Sequence, residues 1–398
     1  MTTDSYKGAV IVVPTRNRAS IAKNAIRSVL DEKVDDVQLL VSDNSTSKSD
    51  QEELAEFCLQ LNDSRVRYVR PPESLAMTAH WEWAIEEALA FYSANHFAYL
   101  TDRMMFKTGG LKEVLAIVSR YPDKVVSYNH DRVVDHVKPI HVDHYPFTGK
   151  LWEVQTKRLS WLVSQARMHH GLPRMLNCFV QRVVFDRFRA RFGNVFSSIA
   201  PDFNFCFRCL DVEESILFLD KSLIFHYALG RSNGASVSRG EMTQDNADFT
   251  ANLPVAPESR NYATPIPQLN TAVNAVFNEY LIYKQETLSP RFFDIDFGKY
   301  LELNAIEITE ISDPQLKAEM RTLLRKHGYQ EAPSISPSPS WLRRARSFVG
   351  RLRSDSTAGP EFTELEEAIH YVRNTLPNTP QSPSAVRELL HAREMPLP

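Results

Sequence analysis

The sequence predicts an α/β protein built on a mostly parallel sheet with helices on both faces. Three observations carry this prediction. Short apolar, β-branched runs alternate with stretches whose apolar residues recur at helical spacing. The runs stop at prolines or polar clusters. Three of them end in residues suited to hold a ligand, as expected where an open α/β sheet binds at its carboxyl edge.

The elements follow in order. Residues 9–13 form an apolar strand closed by Pro14, and 19–30 a helix with Ile21, Ala25, Ile26 and Val29 on one face. Residues 37–41 read as a second buried strand running into Ser42-Asp43-Asn44-Ser45. A helix over 51–61 and a strand over 65–69, closed by Pro71-Pro72, come next. A long helix over 77–92 leads to a strand at 97–100, which runs into Thr101-Asp102-Arg103. A helix over 110–120 and a strand over 125–128 complete the pattern. Residues 150–239 are less regular, and 267–330 read as helical. Residues 331–341 are rich in Pro and Ser and read as a linker. Residues 341–353 form a basic amphipathic stretch, either lying on an anionic membrane surface or packed on its own protein. The expected division is therefore 1–250, 251–330 and 331–398.

Composition narrows the function. With 398 residues, 43% hydrophobic and 24% charged, the chain is long enough for two or three domains with ample core. A net charge of −3 gives no global attraction to nucleic acid. The polar N-terminus and the lack of any long apolar run predict a cytoplasmic chain, with peripheral contact at the inner membrane face through 341–353 as the candidate exception. Four cysteines make no disulfide framework. Cys206 and Cys209 read as small buried thiols, since no second pair completes a zinc site.

The strand ends carry the chemistry. Thr15-Arg16-Asn17-Arg18 follows the first strand, Asp43 the second and Asp102 the fourth. Singly, each aspartate is as well explained by capping a turn or helix. Together on one edge, acceptors and cations make a nucleotide site.

At this point the residues resemble family 2 of the inverting glycosyltransferases, with the GT-A fold. Val10-Ile11-Val12-Val13-Pro14-Thr15-Arg16-Asn17-Arg18 is similar to that family's first strand and nucleotide loop. Leu39-Leu40-Val41-Ser42-Asp43-Asn44-Ser45 resembles its second strand, whose aspartate contacts the nucleobase. Met77 and His80, in Met77-Thr78-Ala79-His80-Trp81-Glu82-Trp83-Ala84, sit where the family has the helix before its metal motif. Tyr99-Leu100-Thr101-Asp102-Arg103-Met104-Met105 stands in place of the Asp-x-Asp segment, and Ala200-Pro201-Asp202 resembles the region of the catalytic base. Ile224-Phe225-His226-Tyr227 through Gly230-Arg231-Ser232-Asn233-Gly234 is similar to the strand and loop over the diphosphate. The likeness spans about residues 8–240.

The resemblance implies a nucleoside-diphosphate-sugar donor, expected as UDP-linked, and a glycan or lipid-linked acceptor. It implies donor contacts from Pro14, Thr15, Arg16, Arg18, Asp43, Met77, His80, Asp102, Arg103, Arg231 and Ser232, with Asp202 as general base. It also implies Mn²⁺ or Mg²⁺, with Asp102 and His226 as candidate ligands. Met104 replaces the second aspartate, however, and a thioether is a poor ligand for a hard cation. A weak or absent metal requirement follows, with Arg103, Arg231 and Arg16 as alternative partners of the diphosphate. Asp202 precedes Phe203 in an apolar setting that would raise its pKa, and it reads equally as a helix N-cap. Asp211, Glu213 and Glu214 read as solvated helix charges. Asp135, His136, His141, Asp143 and His144 match no tight zinc spacing and read as an irregular strand and loop, and His169-His170 reads as surface. Two competitors stand beside the transferase. One is a non-catalytic sugar-nucleotide or glycan binder on the same fold. The other is a nucleotidyltransferase, which would want a glycine in the loop of residues 14–18.

Overall fold

The computed structural model describes residues 7–145, 147–232, 239, 262–330, 357–375, 389 and 392–398. The expected basic stretch 341–353 and the linker before it lie outside these residues, as do Asn233 and Gly234. The first half follows the predicted alternation: β1 (Ala9–Thr15), α1 (Ala19–Leu30), β2 (Val37–Asp43), α2 (Lys48–Leu61), β3 (Val66–Val69), α3 (Met77–Phe91) and β4 (His96–Tyr99). Then come β5 (Met104–Phe106), α4 (Gly110–Arg120), β6 (Val126–Val134), β7 (Ile140–His144), β8 (Leu151–Gln155), α5 (Thr156–Ser164), β9 (Cys178–Gln181), α6 (Arg182–Phe192), α7 (Pro201–Val212) and β10 (Ser215–His226). Three helices follow, α8 (Ala272–Thr287), α9 (Phe297–Ile308) and α10 (Pro314–Lys326), and the chain returns as β11 (Thr357–Phe362), α11 (Leu365–Asn374) and β12 (Arg393–Met395).

The sheet runs β3-β2-β1-β4-β9-β6-β10-β8-β12. β1 pairs in parallel with both β2 and β4, and β2 with β3. β9 is antiparallel to β4 and to β6, while β6 and β10 are parallel. The carboxyl ends of β1, β2, β4, β6 and β10 therefore open on one edge of the sheet. Strand order reverses between β1 and β4, and crevices in open sheets form at such a switch point.

Both faces of β1 are buried. Val10 and Val12 join the core under α3, α5, α6 and α7, whereas Ala9, Ile11 and Val13 join the core under α1, α2 and α4. Pro14 does not end β1 as expected. It stays in register with Ser42, because its missing N–H turns toward the β4 side beyond the last β4 pair, where no ladder bond is lost.

Several expectations are corrected by tertiary partners. Residues 140–144, read as part of an irregular strand and loop, form a regular strand, β7, an antiparallel partner of β6. Asp211 is a buried group, accepting from Tyr283 Oη at 2.9 Å and paired with Arg191 at 2.5 Å, whereas Glu214 is exposed. Residues 357–375 and 392–398 were expected in a linker and helical tail. Instead β11 pairs with β7, and β12 with β8. The helices after residue 267 appear as predicted, with their own core around Phe277, Tyr300 and Ile308. α8 also carries Tyr280 and Tyr283 into the core beneath α7. All four cysteines are free and buried.

Candidate active site

The crevice starts at Thr15, the last residue of β1. Its Oγ1 donates to Asp102 Oδ2 at 2.9 Å, across the β1/β4 switch point. Asp102 is buried, and its other oxygen accepts from Arg18 Nη1 at 3.1 Å, just before α1. The second carboxylate, Asp43, lies opposite Thr15 in the β1/β2 register. It is fully buried, accepting the Ser45 amide at 2.8 Å and Tyr68 Oη at 2.7 Å, with Arg70 Nε 3.8 Å away. A carboxylate has about four lone-pair sites, so each aspartate keeps acceptor capacity for a ligand.

Asn17 ties the two loops together, and nothing in the sequence pattern marks it. Its φ of 54° is a left-handed conformation that asparagine tolerates better than most residues. From that position its Oδ1 accepts the amides of Thr46 and Ser47 at 2.8 and 3.0 Å, and its own amide donates to Ser45 Oγ at 2.7 Å. Its carbonyl accepts from Arg231 at 3.1 Å. The loop after β10 is held a second time by Asp135, whose carboxylate accepts the amides of Ala228 and Leu229. Arg231 and the half-buried Ser232 thus lie against the β1 loop.

Arg16, His80 and Met77, also predicted as donor contacts, have partners within the protein. Arg16 donates to the Leu75 carbonyl at 2.9 Å, the same oxygen that Asn44 Nδ2 reaches at 2.8 Å, so it braces the segment before α3. His80 is buried with its Nε2 2.8 Å from Ser42 Oγ. Burial, aided by Arg16, lowers its pKa to about 3. It is neutral and supports the rim from beneath, because α3 packs it against β2. Met77, at the start of α3, packs half-buried on the core.

The expected metal ligands, Asp102 and His226, each have protein neighbours of their own. Both Asp102 oxygens already have donors, one of them a guanidinium, and Met104 and Met105 follow in β5. His226 pairs with Met104 across β5 and β10, and its ring faces His130 at 4.6 Å. Its electrostatic neighbours are Arg103, Arg174 and Arg132, and with burial they hold its pKa well below the ordinary value. Among the described residues no group of three His, Cys, Asp or Glu could hold a metal ion. One carboxylate neutralised by arginine beside a cationic neighbourhood is a poor fit to a hard divalent ion.

Farther along the same edge, Asp202 sits second in α7, after Pro201; the N-cap is Ala200, so the side chain is not the cap. An acid in the first turn is favoured by the helix dipole. Burial nevertheless holds its carboxyl above the usual range, with Arg174 and the first-turn amides pulling it down. Glu279 of α8 is an electrostatic neighbour of Asp202 and bonds Ser198 Oγ. Burial raises its pKa to about 8, so it is largely protonated at neutral pH. The pair His169-His170, expected at the surface, is buried and half-buried respectively, because Gly171 and β6 draw the loop inward. His170 packs on Tyr145 at 4.7 Å. Asn17, Tyr68, Arg174 and Glu279 are the neighbours that sequence reasoning missed.

No helix among the described residues is long and apolar enough to cross a membrane. No curated protein matches the sequence. Among solved structures, S. aureus TarS 1–349 in complex with UDP-GlcNAc is similar at 13% identity and a TM-score of 0.43, covering 86% of this chain and 81% of that one. S. aureus TarS aligns at 11% identity and a TM-score of 0.44, covering 83% of this chain and 57% of that chain. At these TM-scores the likeness adds nothing to the assignment. Residues 10–172 match the family model described as Glycosyl transferase family 2. This segment runs from β1 to the loop before β9 and includes Thr15, Asp43 and Asp102. Its mixed sheet flanked by helices is that of the GT-A fold, and the likeness to glycosyl transferase family 2 extends over residues 10–172, less than half of the 398 residues.

Proposed function

We propose that the chain transfers a sugar from a nucleoside-diphosphate donor, UDP-linked, to an acceptor hydroxyl of a glycan or lipid-linked substrate, with inversion. The observation that carries this reading is the Thr15–Asp102 hydrogen bond at the switch point, with Asp43 in register beside it. In this reading Asp43 accepts the N–H of the nucleobase and Asp102 accepts a ribose hydroxyl. Pro14 and Met77 line the two sides, and Arg103 with Arg231 and Ser232 faces the departing diphosphate. Arg16, Arg18 and His80 act behind these groups, holding Leu75, Asp102 and Ser42.

Asp202 takes the proton of the acceptor hydroxyl as its oxygen forms the new bond to the anomeric carbon, and the diphosphate departs from the opposite face. A carboxyl raised toward working pH suits that task, since proton transfer is most effective when the base's pKa lies near the operating pH. Mn²⁺ or Mg²⁺ is assigned at most a weak role, because Arg18 already pairs with the sole aspartate of the motif and three arginines neighbour His226.

A donor panel read by thermal shift tests this. Ligands that bind the folded state raise its melting temperature, by mass action alone. UDP and UDP-sugars should raise it, with Mn²⁺ adding little, and one of the sugars should be released or transferred on incubation. A chain that no nucleoside diphosphate stabilises would refute the transferase reading.

A further inference from the structure

Near Arg103 on one side and Asp202 on the other lies a second set of polar groups that the transfer reaction does not use. It is built from the ends of β6 and β10, the residue after β7, and the loop of residues 166–177 before β9. His130 contacts the rings of His226 at 4.6 Å and Tyr145 at 5.2 Å, and lies 6.3 Å from His170. Arg132 lies over Tyr145 at 5.5 Å, its Nη2 held by Asp143 at 2.9 Å. Arg174 is an electrostatic neighbour of His130, His170, His226 and Asp202 alike. Its guanidinium lies 5.6 Å from the centre of the Phe203 ring, and among the described residues it has neither an ion-pair partner nor a side-chain hydrogen bond.

Two buried polar atoms here lack partners. His130 is 8% exposed, yet its Nδ1 has no hydrogen-bond partner, and neither has Arg132 Nε. A buried polar atom without a partner costs free energy, and one that serves a ligand recovers it on binding. Three neutral imidazoles and two guanidiniums, with Asp143 holding Arg132 and Asp202 near Arg174, form a recess whose unpaired positive charge is that of Arg174. Planar guanidiniums favour carboxylate and phosphate because their forked N–H groups match those anions.

Resting on the transferase reading above, we infer that this recess binds an anionic group of a substrate, carboxylate or phosphate, distinct from the donor's diphosphate. Its position beside Asp202 admits two sources: a carboxylate on the transferred sugar, or a phosphate on the acceptor. Arg174 is the specificity-determining residue, meeting the anion by its fork while Phe203 holds its plane.

The test uses the full chain, with calorimetry in two arms. In the donor arm, UDP-glucuronic acid is compared with UDP-glucose. In the acceptor arm, inorganic phosphate is titrated into protein saturated with UDP. Binding of phosphate to the UDP-loaded chain, or at least a tenfold preference for the glucuronate donor, is the expected result, and which arm responds names the source. Arg174→Gln should reduce that response at least tenfold while leaving UDP affinity within about twofold. Should Arg174→Gln not fold, Arg174→Lys, which keeps the charge but not the fork, should lose most of the response. Silence in both arms overturns the proposal, as does an equal loss of UDP affinity in the variant, which would fold the recess into the diphosphate site. Arginine-dependent phosphate binding by a chain that ignores UDP would uphold the recess and defeat the nucleotide reading instead.

Discussion

The rim at the ends of β1, β2 and β4 and the recess at the ends of β6 and β10 share one sheet edge, but their chemistry is opposite. The rim presents two buried carboxylates, each already anchored by a hydroxyl from a neighbouring strand and a guanidinium from a loop. The recess presents imidazoles and guanidiniums with Asp143 on Arg132 and Asp202 near Arg174, and it leaves His130 Nδ1 and Arg132 Nε without partners. Acceptors that are pre-oriented but not saturated suit a base and ribose, which offer N–H and O–H groups. Surplus donors suit anions. The difference teaches that burial on one edge does not set polarity; the side chains brought in by crossover loops do.

The comparison can be broken most sharply at Asp202. Asp202→Asn should lower kcat by roughly 10²–10⁴-fold, the usual contribution of a general base, with UDP affinity unchanged. An equal loss of UDP affinity would merge the two regions. Next, Asp43→Ala should weaken UDP binding by about 10- to 100-fold, as expected for one lost hydrogen bond to a charged group, without altering phosphate binding in the recess. Calorimetry on both ligands checks this.

A third prediction concerns Glu279. Its carboxyl rises from 4.5 to about 8 on folding, so the folded chain holds a proton that the unfolded chain releases. That contribution to stability is complete below about pH 4.5 and is lost as pH climbs toward 8. The wild type should therefore lose stability relative to Glu279→Gln across this window. Denaturant melts at pH 5 and 8 would show it, and parallel curves would place Glu279 in water. The smallest effect is expected from chelation, with EDTA changing turnover by less than about twofold if arginines do the work of a cation. A large loss would return a metal to Asp102.

Much of the rim was legible in the sequence. Strands buried on both faces show as continuous apolar runs, and helices as periodic ones, so α1 and α4 begin and end where the spacing predicts. The aspartates stand out because polar residues directly after such runs lie at the carboxyl edge. Asn17 did not stand out, since its backbone angle leaves no trace in composition. Arg174 lies in a loop without period, and its value comes from partners in β6, β10 and α7. His169 and Asp211 looked solvated by residue type, yet Gly171 and Tyr283 draw them inside. The strand nature of the chain's last stretch was hidden too, because pairing with β7 and β8 across more than 200 positions decides it.

That last pairing has a practical side. β12 covers the outer main chain of β8, and the Pro396 carbonyl accepts from Tyr121 at 2.8 Å, so the closing residues act as a zip fastener on an otherwise bare ribbon of amides. Shortening the protein before Arg393 would leave that ribbon open to a neighbour's, inviting filaments or clumps. An affinity handle is better attached ahead of Lys7.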